Sequence, residues 1–154
     1  MPPNTQEAQT LKLLLQFGVI GAKEVIAWAD SHFIDSALPS EVLLELSTTN
    51  PCNTADVLSC LKRLSVGADF WDAFRCTLPQ LRDYLTKHPD RAESIANHLY
   101  LTACASSESE VPSDLKFAYR FDDAFLLARA GISGDLDTVY DEFIRELDKF
   151  AQSV

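Results

Sequence analysis

The sequence predicts an all-α fold: a single-domain helical bundle of about seven or eight helices around a central helix in the C-terminal half. Three observations carry this reading. Apolar residues recur at three- and four-residue intervals, while the two-residue alternation of a half-buried strand is nearly absent. Gly and Pro punctuate the chain at helix-length spacings. A chain of 154 residues, 47% hydrophobic and 23% charged, suits one domain with a real core.

The elements follow in order. Residues 1–4 form a disordered lead. A first helix from Thr5 to Phe17 ends at Gly18, a residue suited to the left-handed position after a helix. A second, Ala22 to Ala37, puts Ala22, Val25, Ile26, Ala29, Phe33 and Ala37 on one buried arc. Pro39 is placed to open a third through Ser47. Asn53 or Thr54 caps a fourth, whose stripe is Val57, Cys60, Leu61 and Leu64. A fifth, from about Ala68, carries Phe70, Trp71, Phe74 and Leu78, with a kink or fresh start expected at Pro79. Asp90 caps a sixth, with Ala92, Ile95, Ala96, Leu99 and Ala103 inward. Residues 106–113 read as a polar, mobile loop. The stretch Asp114 to Ala130 is the predicted central helix. Leu115, Tyr119 and Leu126 make one apolar face, and Phe117, Phe121, Ala124, Phe125 and Ala128 another, so it should lie between layers. The last helix buries Leu136, Val139, Tyr140, Phe143, Ile144, Leu147 and Phe150, with Asp141, Arg145 and Lys149 paired outside. The corners Gly18-Val19-Ile20-Gly21 and Gly131-Ile132-Ser133-Gly134 echo each other without any fixed period along the chain.

Charge narrows the partners. The net charge is −10, and the longest basic run is Lys62-Arg63. Nucleic acid and anionic membrane surfaces require clustered cations, so neither is expected. A basic partner is favoured by electrostatic steering; acidity serving solubility alone is the plain alternative. No apolar run reaches the ~20 residues of a membrane span, and no secretory signal pattern precedes the first helix. The cysteines, Cys52, Cys60, Cys76 and Cys104, lack the CxxC spacing of zinc and redox motifs. They read as reduced, buried thiols of a cytoplasmic protein, with Cys60 and Cys104 in the core.

Catalytic templates find no match. His32, His88 and His98 are scattered, and no cofactor or metal is expected. The cluster Asp135, Asp137 and Asp141 lacks the glycine and closing glutamate of a calcium loop. Asp122 and Asp123 point about 100° apart on a helix and cannot share a proton; Asp122 is better paired with Arg129. No Gly-rich phosphate cradle or nucleophile elbow is present. The expectation is therefore a protein that is not an enzyme.

Surface recognition remains. Trp28 sits at the margin of its helix's apolar arc, beside the Glu24 and Asp35 azimuths, either as a partner-binding anchor or as the closing edge of the core. Trp71 belongs to the core. Between Val19 and Cys60 six acidic residues face Lys23 alone. The partner-binding candidates are Trp28, Asp30, Asp35, Glu41 and Glu45, with Asp137, Asp141 and Asp148 on one flank of the last helix. Solvated faces are the alternative for all these charges.

The stretch Leu15-Gln-Phe-Gly-Val-Ile-Gly-Ala-Lys-Glu-Val-Ile-Ala-Trp-Ala-Asp30, followed by Pro39-Ser-Glu-Val-Leu-Leu-Glu-Leu-Ser47, resembles the N-terminal part of small helical bacterial proteins of toxin–immunity systems. The resemblance covers about a third of the chain and rests on packing pattern, so no functional residue is carried over. It implies a cytoplasmic immunity protein, monomeric or weakly dimeric, that binds and occludes a cognate, basic toxin domain. An adaptor or secretion chaperone that dimerises is the alternative, and an enzyme with a dispersed site is a third.

Overall fold

The computed structural model describes residues 5–35, 41–105 and 117–152, with the side chains of 33–35 outside that description. The described residues form eight α-helices and no strand: α1 (Thr5–Phe17), α2 (Ala22–Asp35), α3 (Glu41–Ser47), α4 (Thr54–Leu64), α5 (Phe70–Lys87), α6 (Ala92–Ala105), α7 (Phe121–Arg129) and α8 (Leu136–Gln152). The protein is all-α. The chain divides into two compact units, 1–77 and 78–154, the division falling inside α5. The lead 1–4, the segment around Pro39 and the loop 106–113 lie outside the described residues.

In the first unit, α1 packs on α4, α2 on α3 and α4, and α3 on α4. The expected arc of α2 holds where it is described, because Val25 and Ala29 are fully buried with Ala22. They join Ala8 and Leu15 of α1, Leu43 and Leu46 of α3, and Val57, Cys60 and Leu61 of α4. Asn53 is the cap of α4, its Oδ1 accepting the Asp56 amide at 3.2 Å, which satisfies one orphan donor of the first turn. The start of α5 is tied to α1 by a side-chain amide acting as a backbone mimic. Gln6 donates to the Asp69 carbonyl at 3.0 Å and accepts the Asp69 amide at 3.2 Å. Phe74 packs edge-on against Phe17, ring centres 6.3 Å apart. Trp71 is buried, as its stripe predicts.

Pro79 produces no fresh start, since α5 is continuous from Phe70 to Lys87 with the proline inside it. In the second unit Asp90 does not cap α6. It lies within a 3₁₀ turn, Pro89–Arg91, that leads into the helix; Pro89 at the first position of that turn needs no amide partner. The expected inward set of α6, from Ala92 to Ala103, is buried throughout.

The largest correction concerns the predicted central helix. Residues 117–119 form a 3₁₀ turn, and α7 begins only at Phe121. The break at Arg120 resets the azimuth. Phe117 packs edge-on against Phe121, ring centres 5.9 Å apart, as members of one predicted face. With one apolar side satisfied, Leu126 is 58% exposed, so α7 is singly amphipathic. It still lies between neighbours within its unit, against α6 on one side and α8 on the other. Phe117, Phe121 and Phe125 surround Phe143 of α8 at 5.2–6.4 Å in tilted or edge-on geometry.

On α8 the periodic face is buried at Val139, Phe143, Ile144, Leu147 and Phe150, but Tyr140 is half-buried and Leu136 is 43% exposed. The outer pairing also differs from expectation, as Lys149 approaches Glu146 at 3.5 Å, one helical turn back. Asp122 accepts from Asn97 at 2.9 Å, whereas Arg129 pairs with Glu93. Cys60 is buried; Cys52, Cys76 and Cys104 are exposed, so Cys104 is not a core residue. It sits on α6 outside the buried set, one position past Ala103.

The two Gly corners share one hydrogen-bond plan. After α1, the Gly18 amide donates to Leu15 O at 3.1 Å and the Val19 amide to Leu14 O at 2.9 Å. After α7, Gly131 donates to Ala128 O at 3.1 Å and Ile132 to Leu127 O at 3.0 Å. Both are Schellman caps, and both glycines have positive φ, 82° and 72°. The corners lie near the start of one unit and the end of the other, so they mark a recurrent local solution and not a tandem repeat.

Candidate functional site

Of the first unit's candidates, Trp28 and Glu45 are engaged within the fold. Trp28 is half-buried against the core cluster. Its indole Nε1 donates to Glu7 of α1 at 2.7 Å, and its ring lies 4.7 Å from that of His32. The carboxylate that the indole meets is Glu7, on another helix. Glu7 is brought alongside by α1, which sequence spacing cannot show. His32 adds Nδ1 to the Trp28 carbonyl at 3.1 Å and approaches Glu7 at 3.9 Å. Glu45 receives Arg63 of α4 at 2.7 Å, and this bond raises the Arg63 pKa above its ordinary value. Asp30 and Glu41 are exposed, and the side chain of Asp35 lies outside the description.

In the second unit the three α8 carboxylates separate. Asp148 takes both Nε and Nη2 of Arg82, at 2.8 and 3.2 Å, a bidentate pair that raises the arginine pKa. Asp141 is exposed. Asp135 is the cap of α8. It accepts the Thr138 amide at 3.0 Å and hydroxyl at 2.8 Å, and these bonds hold its pKa below the ordinary 3.8. Its carboxylate is therefore committed to the helix end. Among the described residues no group of three His, Cys, Asp or Glu side chains could hold a metal ion.

Asp137 has a different setting. It lies at the mouth of a cleft of about 280 Å³ formed by the 3₁₀ turn, α6, α7 and the start of α8. The wall is mostly apolar: Pro89, Phe125, Leu136 and the ring of Tyr140. The Tyr140 hydroxyl donates to the Leu85 carbonyl at 2.9 Å, which fixes the ring, and burial pushes its pKa up. Around the rim stand Asp90, Glu93 and Asp137, with Arg129 as the single cation. Arg129 is already bound to Glu93. Among the described residues, neither Asp90 nor Asp137 has an ion-pair partner. An adjoining hollow shares Asp90, Glu93 and Arg129 and extends past Asn97 and Asp122 to Leu126.

Exposed apolar side chains border this depression. Leu136 lines the cleft and Leu126 the adjoining hollow, while Leu127 in the last turns of α7 and Ile132 on the following corner are 37% and 74% exposed. Aliphatic side chains beside a cleft rimmed by carboxylates give the chemistry of a surface that takes an apolar contact and a cation together. Of the sequence candidates only Asp137 belongs to it. Asp90, Glu93, Phe125, Leu126, Arg129, Leu136 and Tyr140 were missed. The signal available for Leu126 and Leu127 was the unbroken Phe-Leu-Leu run, which puts apolar side chains around more of a helix than one core contact can cover.

No protein-family model matches the chain, and neither a curated protein nor a solved structure is found similar to it. Among the described residues, no helix is long and apolar enough to cross a membrane.

Proposed function

We propose that this chain is a non-catalytic binding protein, an immunity protein that neutralises a basic toxin domain by covering it with the acid-rimmed face of its second unit. The observation that carries the reading is the juxtaposition of two exposed leucines, Leu136 in the cleft and Leu126 in the adjoining hollow, with the carboxylates Asp90 and Glu93 that both share, in a chain of net charge −10. Exposed leucines supply desolvated contact area. The carboxylates attract a cationic surface and repel anionic ones, which favours specificity and rapid encounter. The four free cysteines accord with a cytoplasmic setting, where thiols stay reduced.

The test is calorimetric titration against the product of the neighbouring reading frame, which this reading expects to carry a basic toxin domain. Sub-micromolar binding is expected, weakening as salt rises. Leu126→Ala and Leu136→Ala should each weaken it about tenfold, ~1.4 kcal/mol, without changing thermal stability appreciably. Unchanged affinity in both variants would place the interface elsewhere. The same exposed leucines also favour a second reading, an adaptor or secretion chaperone that buries them in a dimer. Sedimentation equilibrium separates the two, since the immunity reading expects a monomer or weak dimer and the second a concentration-stable dimer.

A further inference from the structure

The cleft between the 3₁₀ turn, α7 and the start of α8 has a more specific shape than a general acidic face. Its lining is in good part aromatic and aliphatic, from Phe125, Tyr140 and Leu136, and it holds about 280 Å³. Among the described residues, three carboxylates share its rim with one guanidinium, leaving two negative charges without a cation in the lining. Glu93 is taken by Arg129, so these charges belong to Asp90 and Asp137, both exposed. The position of Arg129 also shows that a guanidinium is compatible with this rim. An apolar lining beside unpaired carboxylates suits a side chain that is apolar along its stem and cationic at its tip. A planar guanidinium fits better than an ammonium, because it stacks on aromatic faces and offers several donors to flanking carboxylates.

We infer that this cleft is a socket for an arginine side chain presented by the protein's partner. The aliphatic stem would lie on Leu136 and Phe125, and the guanidinium between Asp90 and Asp137 beside the Tyr140 ring. This deepens the binding reading above and rests on it for the identity of the partner, but the socket can be tested without one.

The probe is N-acetyl-arginine amide, titrated into the full-length ¹⁵N-labelled chain and followed by amide chemical shifts. Saturable shifts in the low-millimolar range are expected, centred on Phe125, Leu136, Asp137 and Tyr140. The citrulline analogue, equal in shape and uncharged, should bind at least fivefold more weakly, and the lysine analogue detectably more weakly than arginine. The double variant Asp90→Asn/Asp137→Asn changes two exposed side chains and should abolish saturation while leaving the rest of the spectrum in place. Equal binding of citrulline, shifts centred on the acidic residues of α2 and α3, or an unaffected double variant would each overturn the socket. The two proposals fail separately. If a toxin domain binds but the double variant binds it equally well, the socket falls and the binding reading stands. If arginine amide binds in the cleft and the neighbouring toxin domain does not bind, the binding reading falls and the socket stands.

Discussion

Phe143 is the residue on which the second unit turns. Its ring meets Phe117, Phe121 and Phe125 from three positions along the chain and is fully buried. Removing it leaves a cavity with rigid aromatic walls that relax little. Phe143→Ala should therefore cost about 3–5 kcal/mol, read as a lower urea midpoint at unchanged slope. Phe143 was legible in the sequence because the α8 stripe repeats cleanly over several turns. The aromatic partners were legible as one apolar face, but the second face expected of the same helix is not formed at Leu126, which is exposed. Periodicity fixes which residues face inward only if the helix is continuous, and the turn at Arg120 broke that condition. Trp28 shows the same boundary from the other side. Its half-buried margin position could be read from spacing, but its hydrogen bond to Glu7, 21 residues away, could not.

At the scale of elements, the informative features are the corners. Gly131 has φ +72°, and a Cβ there would meet nothing within 4 Å. The cost of Gly131→Ala is thus backbone strain alone, about 1–2 kcal/mol in a denaturant titration. Gly21 lies in the matching corner with equally open space and no positive φ. Gly21→Ala should stay within about 0.5 kcal/mol of the parent, since the left-handed penalty does not apply. A large cost at both positions would contradict this account of the corners. Gly18 and Gly131 were readable as helix stops from their place after apolar stripes. The candidate cleft was not readable, because its rim is drawn from the 3₁₀ turn, α6 and α8, and carboxylates on separate elements carry no spacing signal. Asp137 alone was singled out, on the strength of its helix flank.

Across the whole molecule the cysteines give a simple count. Cys52, Cys76 and Cys104 are exposed and Cys60 is 2% exposed beneath the α4 stripe. Ellman's reagent should find three thiols promptly in the native protein and the fourth only as the first unit opens or in denaturant. Four prompt thiols would mean that the core around Leu43, Leu46 and Leu61 is open. The sequence placed Cys60 correctly because its neighbours at three and four residues are apolar. It misplaced Cys104, since α6 is rich in apolar residues on more than its buried side; Leu101 is exposed there as well.

The face that carries Leu126 and Leu136 has a consequence for how copies of the chain treat one another. In a two-fold pairing the same patch appears on both sides. A patch rimmed by Asp90, Glu93 and Asp137 would then face a patch of the same net sign, beside the leucines that would otherwise draw the copies together. The patch thus carries its own sign-selective gate. On the binding reading proposed above, it would disfavour its own image and favour a surface of opposite charge, with a discrimination that salt progressively erodes.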